Sequence, residues 1–494
     1  MSIFGRVRGR LSGVQADQDP HSWHFPNKYS ISSSTSRATV IPNPVDLRNA
    51  FVPDATTHAP HKTALIYPDS SHAAVHLCLL ECFRNLRTKA IKLDIQSYKP
   101  PAYAQDASPD ESFAEESLPE SLHWDLLVQL AVTRFTTWWK NLPQVFDHAI
   151  AYGQRGGAIR DEIQLPVNYL PPLDVLLVWY SLILDEQEYS RVSHQACDTR
   201  LSMLCFPWPA IRDAIDRDTM TFELPRPAEI LFSTISEQAP DILTYLDAPP
   251  AYAESNESPF AIDLVLQVHQ QEAFIDASHQ ALWIRSPTLT GSLQRAALDY
   301  VGALTSGRLG SLTQDEIPFG IHLIWRTHRL FPAQYLNHCS NAGFDTADSA
   351  SDLKVIHSSE TAQSSSSFRS DSSGCQICIC WICESIRDNK PEWKYDSVTR
   401  SYDTEIIAQT SPEQLLQIKD DVGFYRAAES NRRQGLPLPT RPLTSKEKNA
   451  EKLEARKQKE LGQLPGLNEY IEVLPNGKKK YRISRAVRAS YGHS

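Results

Sequence analysis

The chain has 494 residues, 41% of them apolar, with 33 prolines against 19 glycines and a net charge of −10. That length has room for about three domains at roughly 150 residues each, but the apolar share lies below the roughly 45–50% of compact domains, so some of the chain is expected to stay unfolded. Collagen-like and elastic classes are excluded by the low glycine count, and the longest uncharged apolar run, Val175 to Leu184, falls well short of the roughly 20 residues that span a bilayer.

No membrane association is therefore expected, and an intracellular setting, cytoplasmic or nuclear, follows. Residues 1–20 carry Arg6, Arg8 and Arg10 without an apolar stretch and do not read as a secretory leader. Charge is uneven: residues 431–494 hold 15 Lys+Arg against 6 Asp+Glu, net +9, which leaves −19 on residues 1–430. A basic appendage on an acidic body suggests an anionic partner, or the body's own acids.

In chain order, residues 1–44 are rich in Ser, Arg, His and Pro without a period and are expected to be a disordered leader, or alternatively a mitochondrial presequence. A helical domain is expected over 45–340. Val75, Cys78, Leu79, Cys82, Phe83 and Leu86 recur at three and four, which predicts a helix over 71–88 capped by Ser70 or Ser71. Pro100 to Ser121 is acidic and Pro-rich, a solvated loop. Trp124, Leu127, Val128, Ala131, Phe135 and Trp138 mark the next helix, with Trp138-Trp139 near its end. Further helices are expected at about 172–184, 186–198, 209–218, 261–284, 289–304 and 318–330, with almost no strand-like alternation before residue 400.

A linker is expected over 341–374, since residues 340–374 contain 12 Ser in 35 positions. A Cys cluster plus helix follows over 375–430, with Ser411-Pro412-Glu413-Gln414 as a capping box, and then the basic tail 431–494. Thr444-Ser445-Lys446-Glu447 opens a polar helix, and Tyr470–Leu474 and Tyr481–Ile483 flank Pro475-Asn476-Gly477, a small C-terminal hairpin. The fold class is thus mainly α: a helical body with an internal pseudo-repeat, flanked by disordered segments.

The repeat appears on shifting the sequence by 146. Pro172, Leu177, Trp179, Leu184 and Tyr189 fall on Pro318, Leu323, Trp325, Leu330 and Tyr335, so units near 172–195 and 318–341 each read as a Pro-started helix, a turn and a second helix. Trp179 and Trp325 are expected at equivalent buried positions.

These units resemble the Trp-His-Thr-His-x-Leu-x-Pro-x-x-Tyr signature of the glycine-rich domain-containing protein family of plants and fungi, whose shared domain has no assigned function. The similarity covers about residues 60–340, including Trp138-Trp139 and Phe206-Pro207-Trp208-Pro209-Ala210-Ile211. Onto this chain it carries Trp179, Tyr189, Trp208, Trp325, His328, Pro332 and Tyr335 as motif residues. Fungal members similarly end in a Cys-x-Cys-x-x-Cys element, here Cys378, Cys380 and Cys383. This chain departs from the family at Tyr180 and Leu182, where two His are common, and at Arg326, where one His is common; it also lacks the Gly-rich tail of the plant members.

Five cysteines, Cys78, Cys82, Cys197, Cys205 and Cys339, are scattered through apolar sequence and read as reduced core thiols. Cys375, Cys378, Cys380 and Cys383 crowd into nine residues. Their pairs suit thiolate ligation of Zn2+, with a fourth donor from the cluster itself, His338 or Cys339; alternatively they are free or redox-labile thiols beside Trp381. No nucleophile elbow, phosphate loop, dinucleotide fingerprint or His-Glu-x-x-His helix is present in the sequence. His322 and His328, six apart, face different sides of one helix. The expectation is a non-enzymatic interaction or scaffold protein with a protein partner. An enzyme with a site near His328, Asp174 and Tyr335, or weak nucleic-acid binding through 431–494, are the alternatives.

Overall fold

A computed structural model describes residues 68–92, 120–152, 158–159, 162–196, 199–246, 258–306, 317–342, 378–389, 410–438, 452–457, 467–475 and 478–485, with Pro42, Asp46, Leu47 and Leu309. The 1–44 leader but for Pro42, the acidic loop before Glu120, and the Ser-rich stretch after Ala342 lie outside the described residues. The chain forms two compact units, Met1–Leu438 and Pro439–Ser494.

The first unit is mainly α. Helix α1, Ser70–Ile91, begins at Asp69 rather than at Ser70 or Ser71: the Asp69 carboxylate accepts from the backbone of Ser71 and His72 at 2.9 and 3.0 Å, and the His72 side chain returns the bond. As caps Asp and Ser are about equal, but the Asp69 carboxylate adds a favourable charge at the positive helix end, so the serines one and two residues on join the first turn. Buried residues line every side of α1, from Ala73 round to Phe83, because α2, α3, α5, α8, α9 and α10 all pack against it. It is the axle of the body.

Helix α2, Glu120–Ala151, runs past the expected end at Trp139 and through Pro143. Leu142, Val145, Phe146 and Ala149 continue its buried face, and that burial outweighs the cost of a proline inside a helix. Two short hairpins, β1–β2 (Ala158–Ile159, Glu162–Ile163) and β3–β4 (Ile215–Asp216, Thr221–Phe222), are too brief to show alternation in sequence. Helices α3 (Leu173–Ile183), α4 (Glu186–Gln195), α5 (Trp208–Ala214), α6 (Arg226–Ser236) and α7 (Leu243–Leu246) follow, then α8 (Leu264–Ala281), α9 (Leu289–Thr305), α10 (Phe319–Arg329) and α11 (Pro332–Ala342). β3 ends α5 four residues short of the expected 218, and α6 went unforeseen.

The repeat is a structural one. α3 and α10 have 11 residues each, with both ends offset by 146, and each is entered from an extended proline, Pro172 and Pro318. Ser181 and Thr327, equivalent positions, each bond the carbonyl four residues back, at 2.9 and 2.7 Å. The two tryptophans differ, however. Trp179 is wholly buried against Trp138 and Phe206 (5.3 and 5.2 Å), whereas Trp325 is half-buried and gives its indole N–H to the Tyr335 hydroxyl at 2.9 Å. α3 is apolar on all sides and sits inside the body; α10 has one polar face and lies at its rim.

The expected division after residue 340 does not separate one fold from another. Helices α12 (Trp381–Asp388) and α13 (Pro412–Arg433) belong to the same compact unit, and Trp381, Ile382, Ile386, Ile418 and Val422 join its core. Ser411 caps α13 as its sequence requires, accepting from Gln414 at 3.3 Å. The far end of α13 is fixed by Glu429, which pairs with Arg432, Arg433 and Arg285.

In the second unit, strands β5 (Leu467–Val473) and β6 (Lys479–Arg485) form the expected antiparallel hairpin, with Val473 opposite Lys479 and Tyr470 opposite Arg482.

Candidate metal centre

Cys378, Cys380 and Cys383 come together, their sulfurs all within 4.8 Å of one another. Cys380 is the N-cap of α12 and Cys383 its third residue, while Cys378 precedes the cap by two. Local geometry produces this grouping: an extended residue at Cys380 followed by one helical turn folds the chain back so that Cys383 faces the segment leading in. Cys383 is buried and the other two half-buried. Its thiol is pushed far up, first by hydrogen bonds with the thiols of Cys378 and Cys380 and then by burial. Stripping protons from three crowded sulfurs piles up negative charge, which a bound cation would offset. Arg426 of α13 is half-buried close enough to Cys380 to act on it electrostatically.

The segment is fastened rigidly to the body. Leu282, in the left-handed region at φ 44°, turns the chain out of α8 into Trp283, whose indole donates to the Ile379 carbonyl at 3.0 Å; the Trp381 indole donates to the Ala281 carbonyl at 3.0 Å. Beside this pair, Glu384 accepts from Ser292 (2.7 Å), Arg295 (2.5 Å) and Arg387 (2.5 Å), and Arg295 also binds Asp388. Gly291 stands where α9 meets Asp388: a Cβ there would run into the Asp388 carboxylate.

Cys375 lies outside the described residues. His338 and Cys339, expected as further donors, belong instead to the α10–α11 corner: the His338 ring lies 5.9 Å from that of His328, and Cys339 is buried in α11 one residue on. The remaining motif residues are packing residues. Trp179, Tyr189, Trp208, Pro332 and Tyr335 are all buried, with the Tyr189 hydroxyl held by the Leu204 carbonyl at 2.6 Å.

His328 is buried, bonded through Nδ1 to the Tyr300 hydroxyl at 2.8 Å, and pushed down to about 3 by burial and by His338. It contacts Tyr335 edge-on at 5.1 Å, but Asp174 belongs to another cluster, paired with buried Arg134 at 2.7 Å. The three do not form one site. As their spacing requires, His322 points elsewhere, to Arg326 and Phe274. Asp174 instead borders a groove of about 390 Å3 along α1 and the β3–β4 hairpin, together with Lys89, Glu223, Glu229 and Asp241.

A polar relay unforeseen in sequence ties three helices together. Tyr180 donates to His76 Nε2 (3.1 Å), and His76 Nδ1 to Thr327 Oγ1 (2.9 Å), which donates to the Leu323 carbonyl. The order follows because the Leu323 carbonyl can only accept, so the Thr327 hydroxyl proton is committed to it. Burial and the charge of Arg326 hold His76 down at about 3. Residues such as Arg426, Trp283 and Arg295 also escape sequence reading, since nothing local to them signals a partner about 45 to 95 positions away.

No family model, curated protein or solved structure matches the chain. Among the described residues, no helix is long and apolar enough to cross a membrane.

Proposed function

We propose that the protein is a non-enzymatic interaction or scaffold protein whose helical body binds a protein partner, and that it belongs with the glycine-rich domain-containing proteins that its Trp325–Tyr335 signature resembles. The observation that carries this reading is the placement of the signature: His328, Tyr335 and Tyr189 lie inside the body, each held by another side chain or a backbone carbonyl. A histidine held near 3 is neutral across the physiological range and exchanges no proton at neutral pH, which suits a fastener better than a general base. An intracellular location belongs to the same proposal, as does a supporting electrostatic role for the +9 segment 431–494.

The test is quantitative co-purification of the full chain and of a chain ending at Leu438. A stoichiometric protein partner retained by both through gel filtration supports the body as the binding unit. Recovery of the chain alone, together with turnover of a small-molecule substrate that is lost in His328→Gln, overturns the proposal in favour of an enzyme. Binding of nucleic acid that falls steeply with salt and vanishes on truncation would instead assign the activity to the tail.

A further inference from the structure

We propose that Cys378, Cys380 and Cys383 bind one thiophilic d10 cation, Zn2+, as a three-thiolate centre whose residual charge is balanced by Arg426, and that this centre braces the turn into α12. The inference is independent of the partner-binding reading above.

Geometry comes first. Around tetrahedral Zn2+ the sulfurs lie at about 2.3 Å from the metal and hence about 3.8 Å from one another. The three here already stand within 4.8 Å, so closing on an ion needs movements of at most about 1 Å. Their frame is held before any ion arrives: one tryptophan hydrogen bond holds the Ile379 carbonyl before Cys380, the other holds the Trp381 side chain after it, and Glu384, the residue after Cys383, is anchored by three donors. A preformed donor set spends little conformational entropy on binding.

Charge comes second. Binding releases the three thiol protons, and three thiolates with Zn2+ carry a net −1. A half-buried centre with that charge needs a counter-ion, and Arg426 supplies +1 beside Cys380, which makes the assembly neutral. Soft sulfur donors at the start of a helix favour Zn2+ over Mg2+ or Ca2+, which prefer oxygen. The fourth tetrahedral position is left to water.

The full-length protein, purified in reducing buffer without chelator, should carry about one zinc per chain by elemental mass spectrometry, the stoichiometry of a single site. Cobalt exchange should give sulfur-to-metal charge-transfer absorption of three-thiolate intensity. Cys378→Ser, at a half-buried position, should lose the metal while keeping the helical circular dichroism of the parent; Cys375→Ser should keep it. Arg426→Gln should weaken retention against a competing chelator roughly tenfold, as outer partners of metal ligands do. Because Cys383→Ser could unfold a buried site, the cobalt spectrum of the unaltered chain provides the reading that does not depend on any variant. A parent chain that holds no zinc, takes up none when Zn2+ is added, and shows no cobalt–sulfur band would overturn the proposal. So would zinc fully retained in Cys378→Ser or lost in Cys375→Ser.

Discussion

Trp283 and Trp381 clasp each other's backbone: each indole N–H donates at 3.0 Å to the carbonyl two residues before the other tryptophan. The segments joined are 100 residues apart in the chain, one leaving α8 and the other opening α12. Both rings are nearly fully buried, so each bond also removes a polar group that would otherwise be stranded.

Replacing either tryptophan by Phe keeps most of the apolar area but leaves a carbonyl unpaired. Each of Trp283→Phe and Trp381→Phe should cost about 1–3 kcal/mol in urea unfolding. The double variant should cost less than the sum, because the two bonds hold one junction. Strict additivity would show that they act independently.

Gly291 and Gly320 both mark close approaches to α9, but with different tolerance. A Cβ at Gly320 would stand 2.9 Å from the Ala296 Cβ and 3.2 Å from Trp283, neither of which can rotate away. At Gly291 the obstacle is the Asp388 carboxylate, which can swing out at the expense of its pair with Arg295. Gly320→Ala should therefore cost about 1–3 kcal/mol by overpacking and Gly291→Ala about 1 kcal/mol or less, read from paired denaturation curves. The reverse order would contradict this account of α9 packing.

Arg134 is buried with Asp174 and also reaches the carbonyls of Ala239 and Pro240, at 2.7 and 3.0 Å. Arg134→Met strands a carboxylate at the first turn of α3 and should destabilise by about 3–5 kcal/mol. Adding Asp174→Asn to that variant should restore some of the loss, since the stranded group is then neutral. Thermal or chemical unfolding of the two variants decides the point.

The buried histidines set a pH dependence. His328 is near 3 in the folded chain against an ordinary value of about 6.5, so between those limits the unfolded chain binds more protons and stability falls as pH falls. Asp174 and Glu186, whose carboxyls are raised by burial, act in the opposite sense over some of that range, so the parent's profile alone is ambiguous. The difference between parent and His328→Gln isolates the histidine. The parent should lose about 1.4 kcal/mol per pH unit more than the variant between pH 6 and 4. Parallel profiles would mean that His328 is not held neutral.

Most of the long helices, the repeat and the crowding of the cysteines are legible in the residue order, while α6, α7 and α12 are not. Apolar spacing at three and four places α1, α8, α9 and α10, and the paired prolines fix where α3 and α10 begin, because these signals are carried by residues within a turn or two of each other. The grouping of Cys378, Cys380 and Cys383 is of the same kind: one extended residue and one helical turn bring the sulfurs together. Packing across the chain is what makes Asp69 and not a serine start α1, carries α2 through Pro143, and puts Trp179 in the core while its counterpart Trp325 sits at the rim. It also docks the segment beyond residue 378 on the body instead of leaving it apart, and joins Tyr180 to Thr327 through His76. Each of these rests on which surface another stretch of the chain covers. Burial and hydrogen-bond partners from 90 to 250 positions away outweigh local preference, and no window of sequence contains them.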